Sequence, residues 1–215
     1  MKSTLLILFL LLPVCAAQAQ ADRERCIKND TAPAVSSYYW PPDTEVQIYF
    51  QRDMFTAKER AVLLATIRHW STIAEESGTG VKFIYAGELD ATATCTNCLR
   101  ITRTEVNRKD PKHYAFFYLV KLTNDWLLIS ARIELDFATT RPPALQSFMA
   151  HELGHGMGLA DCRTCQEKKT IMNAFPGINH DNGLLAPSNC DVEIVKEIYE
   201  LRRRVKNTEA AKAEP

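Results

Sequence analysis

Residues His151 to Asp161, HELGHGMGLAD, constrain this chain more than any other stretch. They contain H-E-x-x-H followed by x-x-G-x-x-D. Residues four apart share one face of a helix, so His151 and His155 can offer two imidazole nitrogens to one cation. Glu152, one residue along, is placed to reach a water at that cation without ligating it, as a general base does. Gly156 and Gly158 follow the second histidine, where a continuing helix gains nothing from two glycines and a chain leaving in a turn does. The helix is predicted to end there, swinging Asp161 back as a third donor. Three protein donors around a tetrahedral Zn2+ leave a fourth position for water. A bare H-E-x-x-H also arises by chance on helical surfaces; the added glycine and aspartate spacing sets this one apart. The fold must therefore bring a helix, its exit turn and whatever lies beneath them to one point.

The flanking sequence supplies strands and helices for that purpose. Val46 to Phe50 alternates as a half-buried strand does. Thr56-Ala57-Lys58-Glu59 fits a capping box that opens a long helix, whose apolar face includes Leu63, Leu64, Ile67, Trp70 and Ile73 and which Gly78 stops. Val81 to Tyr85 completes a strand-helix-strand unit that favours parallel pairing. Leu99 to Val106 and Tyr114 to Leu122 are further strands, separated by the polar turn Asn107 to Pro111. Leu127 to Asp136 alternates again, and Pro142-Pro143 opens the helix that carries the histidines. Asp191 to Lys206 is amphipathic and ends in Arg202-Arg203-Arg204, cations suited to a helix C-terminus. His69 and His113 have no partner at ligand spacing and are read as packed or solvent-facing residues. The fold class is α/β (α+β): a mixed sheet with a long backing helix, an active-site helix and a C-terminal helix.

The amino terminus, residues 1–21, has a lysine, an apolar run from Leu5 to Leu12 and small residues at Ala17 to Ala21, the pattern of a secretory signal peptide. The run is short for a membrane span, and Val14 occupies the position before Cys15 where a lipid-anchoring signal wants a small residue. Residues 22–42 read as an extended arm, 43–206 as one catalytic domain and 207–215 as a disordered tail. The arm carries a possible sequon at Asn29 and is too short for a bulky inhibitory segment. Basic and acidic residues balance at 26 each, so charge announces neither a nucleic acid nor a membrane surface as partner. The expectation is an exported monomer, secreted or periplasmic. Of seven cysteines, six remain once Cys15 leaves with the signal, an even number that favours disulfides outside the cell. Their connectivity stays open; Cys95–Cys98, Cys162–Cys165 and Cys26–Cys190 is the most local arrangement. The two C-x-x-C pairs also permit a structural zinc site.

A few residues past Asp161 stands Ile171-Met172. Met172 reads either as core or as a tight turn that puts a thioether beneath the metal site. With that turn, the Trp-bearing helix and the H-E-x-x-H-x-x-G-x-x-D segment, the chain resembles the metzincin zinc peptidases, and among them the matrixin-like secreted proteases, over roughly Val46 to Tyr199. The resemblance implies a twisted, mostly parallel sheet with one antiparallel edge strand, and it makes the strand at 127–136 a possible edge for binding an extended peptide. It also implies a secreted zinc-dependent endopeptidase that hydrolyses peptide bonds with a metal-activated water, Glu152 as general base, His151, His155 and Asp161 as ligands and Met172 in the turn. Two departures stand out. The third ligand is aspartate, as in snapalysin-type enzymes, which should make the bound water less acidic and shift the activity optimum to more alkaline pH. Ala174 also stands where some relatives place a tyrosine ligand. The competing class is a secreted, non-catalytic zinc-binding or interaction protein of the same fold.

Overall fold

The computed structural model describes Cys26 and residues 33–105, 114–165, 169–173 and 184–213, with side chains as far as 205. The export signal, the Asn29 sequon, the turn at 107–111, His113 and Ala174 lie outside the described residues. In chain order the elements are β1 (Glu45–Gln51), α1 (Ala57–Glu76), β2 (Lys82–Leu89), β3 (Cys98–Thr104), β4 (Ala115–Leu122), β5 (Leu128–Asp136), α2 (Pro142–Gly156) and α3 (Asn189–Ala213). The last helix thus runs past Lys206, where the cationic run had set its end.

The strands form one mixed sheet in the order β2-β1-β3-β5-β4. β1 pairs in parallel with β2 and β3, and β3 in parallel with β5. The β1-α1-β2 unit therefore has the parallel pairing that its sequence implies. Only β4 is antiparallel, against β5. This overturns one expectation: β5 is flanked on both sides, and β4 is the edge strand beside the helix of the histidines. Alternation in 127–136 reports which face of a strand is buried and says nothing of its lateral neighbours. The two strands do differ in burial. β5 is almost wholly buried, while Leu119, Val120 and Lys121 of β4 are exposed.

α1 begins with the expected capping box, in which Thr56 Oγ1 accepts the Glu59 N–H and Glu59 accepts the Thr56 N–H. Its apolar face packs on β2 and on α2, and α2 packs on β4 and β5. The core between them holds Ile48, Phe50, Leu63, Trp70, Leu99, Ile133, Phe148 and Leu153, each all but inaccessible to water. Removing such side chains from water at roughly 25 cal/mol per Å² is what holds the layers together. Trp70 adds direction, because its indole N–H donates to the Ala150 carbonyl at 3.0 Å and so fixes α2 one residue before His151.

The three cysteine pairs of the most local arrangement are disulfides: Cys26–Cys190, Cys95–Cys98 and Cys162–Cys165. Four cysteines engaged in this way leave no thiolates for a second, structural zinc. Among the described residues no helix is long and apolar enough to cross a membrane.

Candidate active site

α2 starts at Pro142-Pro143, where the missing N–H groups are not needed, and carries His151, Glu152 and His155 on its last two turns. Its end is built by two glycines with different tasks. Gly156 is still helical, and a Cβ there would lie 2.9 Å from the Trp40 indole nitrogen and 3.4 Å from Phe117, so its smallness admits those rings. Gly158 takes φ +93°, a conformation costly for other residues, and turns the chain out of the helix. The sequence had treated both as turn residues; only the second is. The exit strand is then clamped by the amino-terminal arm. Ser36 donates to the Gly158 carbonyl at 2.7 Å, and Ala160 donates to the Ala34 carbonyl at 2.8 Å.

That exit brings Asp161 back over the helix. His151 Nε2 lies 3.0 Å and His155 Nε2 3.5 Å from Asp161 Oδ1. The three side chains offer donor atoms within 4.8 Å of one another, a group able to hold a metal ion. The histidine tautomers are fixed from behind. His151 Nδ1 is 2.8 Å from the Ile171 carbonyl and His155 Nδ1 is 2.9 Å from the Leu159 carbonyl. A carbonyl only accepts, so both Nδ1 atoms carry hydrogen, and Nε2 is the atom each ring turns towards a metal. Two neutral imidazoles and one carboxylate, converging with the tautomer each needs, fit Zn2+.

Charge at the site follows from burial. Burial of the imidazole and the neighbouring His151 push His155 down to about 4. The hydrogen bond from His151 is the chief reason Asp161 falls to about 2. Both are thus unprotonated at neutral pH, ready to ligate. Burial disfavours a cationic His151, but the hydrogen bond with Asp161 and the charges of Glu152 and Asp161 outweigh it and raise its pKa. Glu152 is buried beside the trio, and loss of hydration raises its carboxyl to about 7, against the pull of His151. A carboxyl poised near neutrality can both take and return a proton.

Met172 is fully buried, and a Cβ on Gly154 would lie 2.6 Å from its sulfur. The methionine therefore sits directly against the metal helix. Its turn is tied to the ligand loop where Cys162 N–H donates to the Met172 carbonyl at 2.9 Å, one residue after Asp161. The Cys162–Cys165 disulfide closes the same loop. His69, by contrast, lies exposed on α1, away from this group.

Sequence reasoning missed several supporting residues. Asp191 accepts from Thr170 Oγ1, from Ile171 N–H at 2.9 Å and from Ser188 N–H at 2.7 Å, anchoring the methionine turn to α3. The spacing Ser188 to Asp191, with the serine oxygen accepting the Asp191 N–H at 3.2 Å, is that of a capping box and was the available signal. Trp40, Tyr38 and Phe117 gave none, since they come from an arm and an edge strand far apart in sequence.

No protein-family model and no curated protein matches the chain. Among solved structures it is similar to the archaemetzincin of Methanopyrus kandleri, with 10% identity over 72% of this chain and 95% of that one and a TM-score of 0.45. It is likewise similar to metalloproteinase-II of Bacteroides fragilis, at 10% identity over 78% of this chain and 56% of that one, again with a TM-score of 0.45. Likeness at that level carries no weight for function, which rests on the donor geometry.

Proposed function

We propose that this protein is an exported zinc-dependent endopeptidase. The observation that carries the proposal is the convergence of His151 Nε2, His155 Nε2 and the Asp161 carboxylate within 4.8 Å, beside a buried glutamate whose carboxyl is raised to about 7. A structural zinc has no use for that unliganded acid. Bound zinc supplies a Lewis acid for a carbonyl oxygen and makes a water acidic. This chain's residues do the rest. His151, His155 and Asp161 hold the ion, Glu152 takes a proton from the attacking water and passes it to the departing amine, and Met172 gives the ligands an apolar floor.

The substrate is a protein or peptide. Among the described residues β4 is an edge strand and lies beside the site, with Phe117 6.2 Å ring to ring from His155, and an extended peptide pairs with such an edge through main-chain hydrogen bonds. The matrixin-like subtype, the catalytic domain at 43–206, a monomeric state and export through residues 1–21 belong to this same reading; the three disulfides support export.

The test is zinc content together with chelator-sensitive cleavage of casein. Glu152→Gln should keep zinc and lose cleavage by at least about 100-fold. Zinc-loaded wild-type protein that cleaves neither casein nor a peptide library would make this a zinc-binding protein instead.

A further inference from the structure

The proposed hydrolysis places negative charge on the carbonyl oxygen of the scissile bond, and the residues assigned so far offer that oxygen no hydrogen-bond donor. The amino-terminal arm brings one to the site. Its backbone is pinned on both sides of Tyr38: Ser36 donates to the Gly158 carbonyl at 2.7 Å, and Trp40 donates to the Gly156 carbonyl at 3.0 Å. The adjacent Tyr38 and Tyr39 rings meet different elements. The ring of Tyr39 goes to α3, where it meets Tyr199 edge-on at 5.4 Å. Tyr38 goes to β4, next to the site. Its ring lies parallel to Phe117, 6.0 Å away at 5°, and Phe117 in turn faces the His155 ring at 6.2 Å. The Tyr38 ring is half-buried rather than sealed in the core.

We propose that Tyr38 is a catalytic residue whose phenolic O–H donates to the carbonyl oxygen as it becomes an oxyanion. The inference rests on the proteolytic reading above. In that reaction the water oxygen bonds to the carbonyl carbon and the carbonyl π pair moves onto its oxygen. A water proton passes to Glu152 and then to the nitrogen as the C–N bond breaks. The Tyr38 proton stays on Tyr38 throughout and is shared with the oxyanion only while that charge exists, which is the condition for a contact to raise kcat rather than lower KM.

The electrostatics agree with this placement. Burial first, and then the carboxylates of Glu152 and Asp161, raise the phenol above its ordinary value, with Ser36 opposing. The phenol therefore keeps its proton, and with it a donor, across the neutral range. Tyr39 and Tyr199 feel Arg202 and Arg203 instead.

Tyr38→Phe keeps the ring and its stack on Phe117 while removing the hydroxyl. In zinc-loaded protein it should lower kcat on the order of 100-fold with KM within about threefold of wild type. Affinity for a phosphinic peptide, which presents a tetrahedral anionic centre, should weaken by a similar factor, and zinc content should stay the same. Tyr85→Phe, on β2 at the opposite edge of the sheet, should match wild type in every readout. Wild-type kcat and phosphinic-peptide affinity in Tyr38→Phe would remove Tyr38 from the mechanism and leave the peptidase reading standing. Zinc-loaded wild type with no cleavage and no affinity for the phosphinic peptide would overturn both.

Discussion

Asp191 and His151 are joined through a single residue. The Asp191 carboxylate accepts the Ile171 N–H at 2.9 Å, and the Ile171 carbonyl accepts the His151 Nδ1–H at 2.8 Å. The first turn of α3 thus sets the orientation of a ligand on α2. Asp191→Asn puts an NH2 group where one carboxylate oxygen accepted. It should destabilise the fold by about 1–3 kcal/mol, because buried donors lose their acceptor. Zinc affinity should fall about 10- to 100-fold as the Ile171 peptide is freed to tilt. Competition with a chelating dye measures the second effect; unchanged zinc affinity in a variant with lowered Tm would break the proposed link.

Gly154 is the contact point between the metal helix and Met172. Gly154→Ala sets a methyl 2.6 Å from the methionine sulfur, and buried overpacking of this kind costs about 1–3 kcal/mol, outweighing the roughly 1 kcal/mol helix-propensity gain of alanine. Thermal unfolding of the metal-free protein checks it. A Tm at or above wild type would show that the turn yields freely.

Glu59 closes the α1 capping box and also pairs with the buried Arg103, which donates in addition to the carbonyls of Asp136 and Thr139. Burial disfavours the charged carboxylate, but the Thr56 N–H and the Arg103 guanidinium outweigh it and hold Glu59 below its ordinary value. A depressed pKa in the folded state gives stability that is fully present above the ordinary value of 4.5 and lost as pH falls through the folded value. Glu59→Gln should therefore cost about 1–2 kcal/mol at pH 7, and the gap to wild type should narrow in acid. Denaturant midpoints of both proteins across pH 3 to 7 test the sign; a constant gap would show that the charge contributes nothing.

Cys26–Cys190 closes a loop across a sequence separation of 164. Chain-entropy reasoning gives about 5 kcal/mol as the upper range for so long a loop. The double variant Cys26→Ser, Cys190→Ser should lose about 2–5 kcal/mol, far more than removal of Cys95–Cys98, whose separation is 3. Equal losses for the two pairs in urea unfolding would contradict this.

Asp161 puts an anion where an imidazole would be neutral. Asp161→His should move the acid limb of the pH–rate profile to lower pH while zinc is retained. An unmoved profile at equal zinc content would show that the ligand charge does not tune the site.

The site's own residues were legible because their spacing is local. His151, Glu152 and His155 share a helix, and Asp161 follows a glycine that must turn. What surrounds them was not legible, for two physical reasons. The groups that fix both imidazoles are the backbone carbonyls of Ile171 and Leu159, and carbonyls have no residue identity to read. The other reason is topology. The alternation in 127–136 fits an interior strand as well as an edge, so the edge passed unnoticed to β4. Tyr38, Phe117 and Asp191 are ordinary arm, strand and cap residues until the fold brings them to the histidines. Gly156 lay between these cases, visible as an anomaly in a helix but explained only by Trp40.

The Tyr199 hydroxyl donates to the Trp40 carbonyl at 2.9 Å, and the Trp40 N–H donates to the Gly156 carbonyl at 3.0 Å. Three segments scattered along the chain thus meet at the end of the metal helix. Contacts between such remote positions form slowly, since the entropy of closing long loops must be met before they return anything. A growing chain that has made α2 but not yet Tyr199 holds its two histidines on a helix whose end is unbraced. On the peptidase reading proposed above, competence to cleave is therefore acquired late in folding, after the last helix has docked, and a half-folded copy has little means of cutting its neighbours.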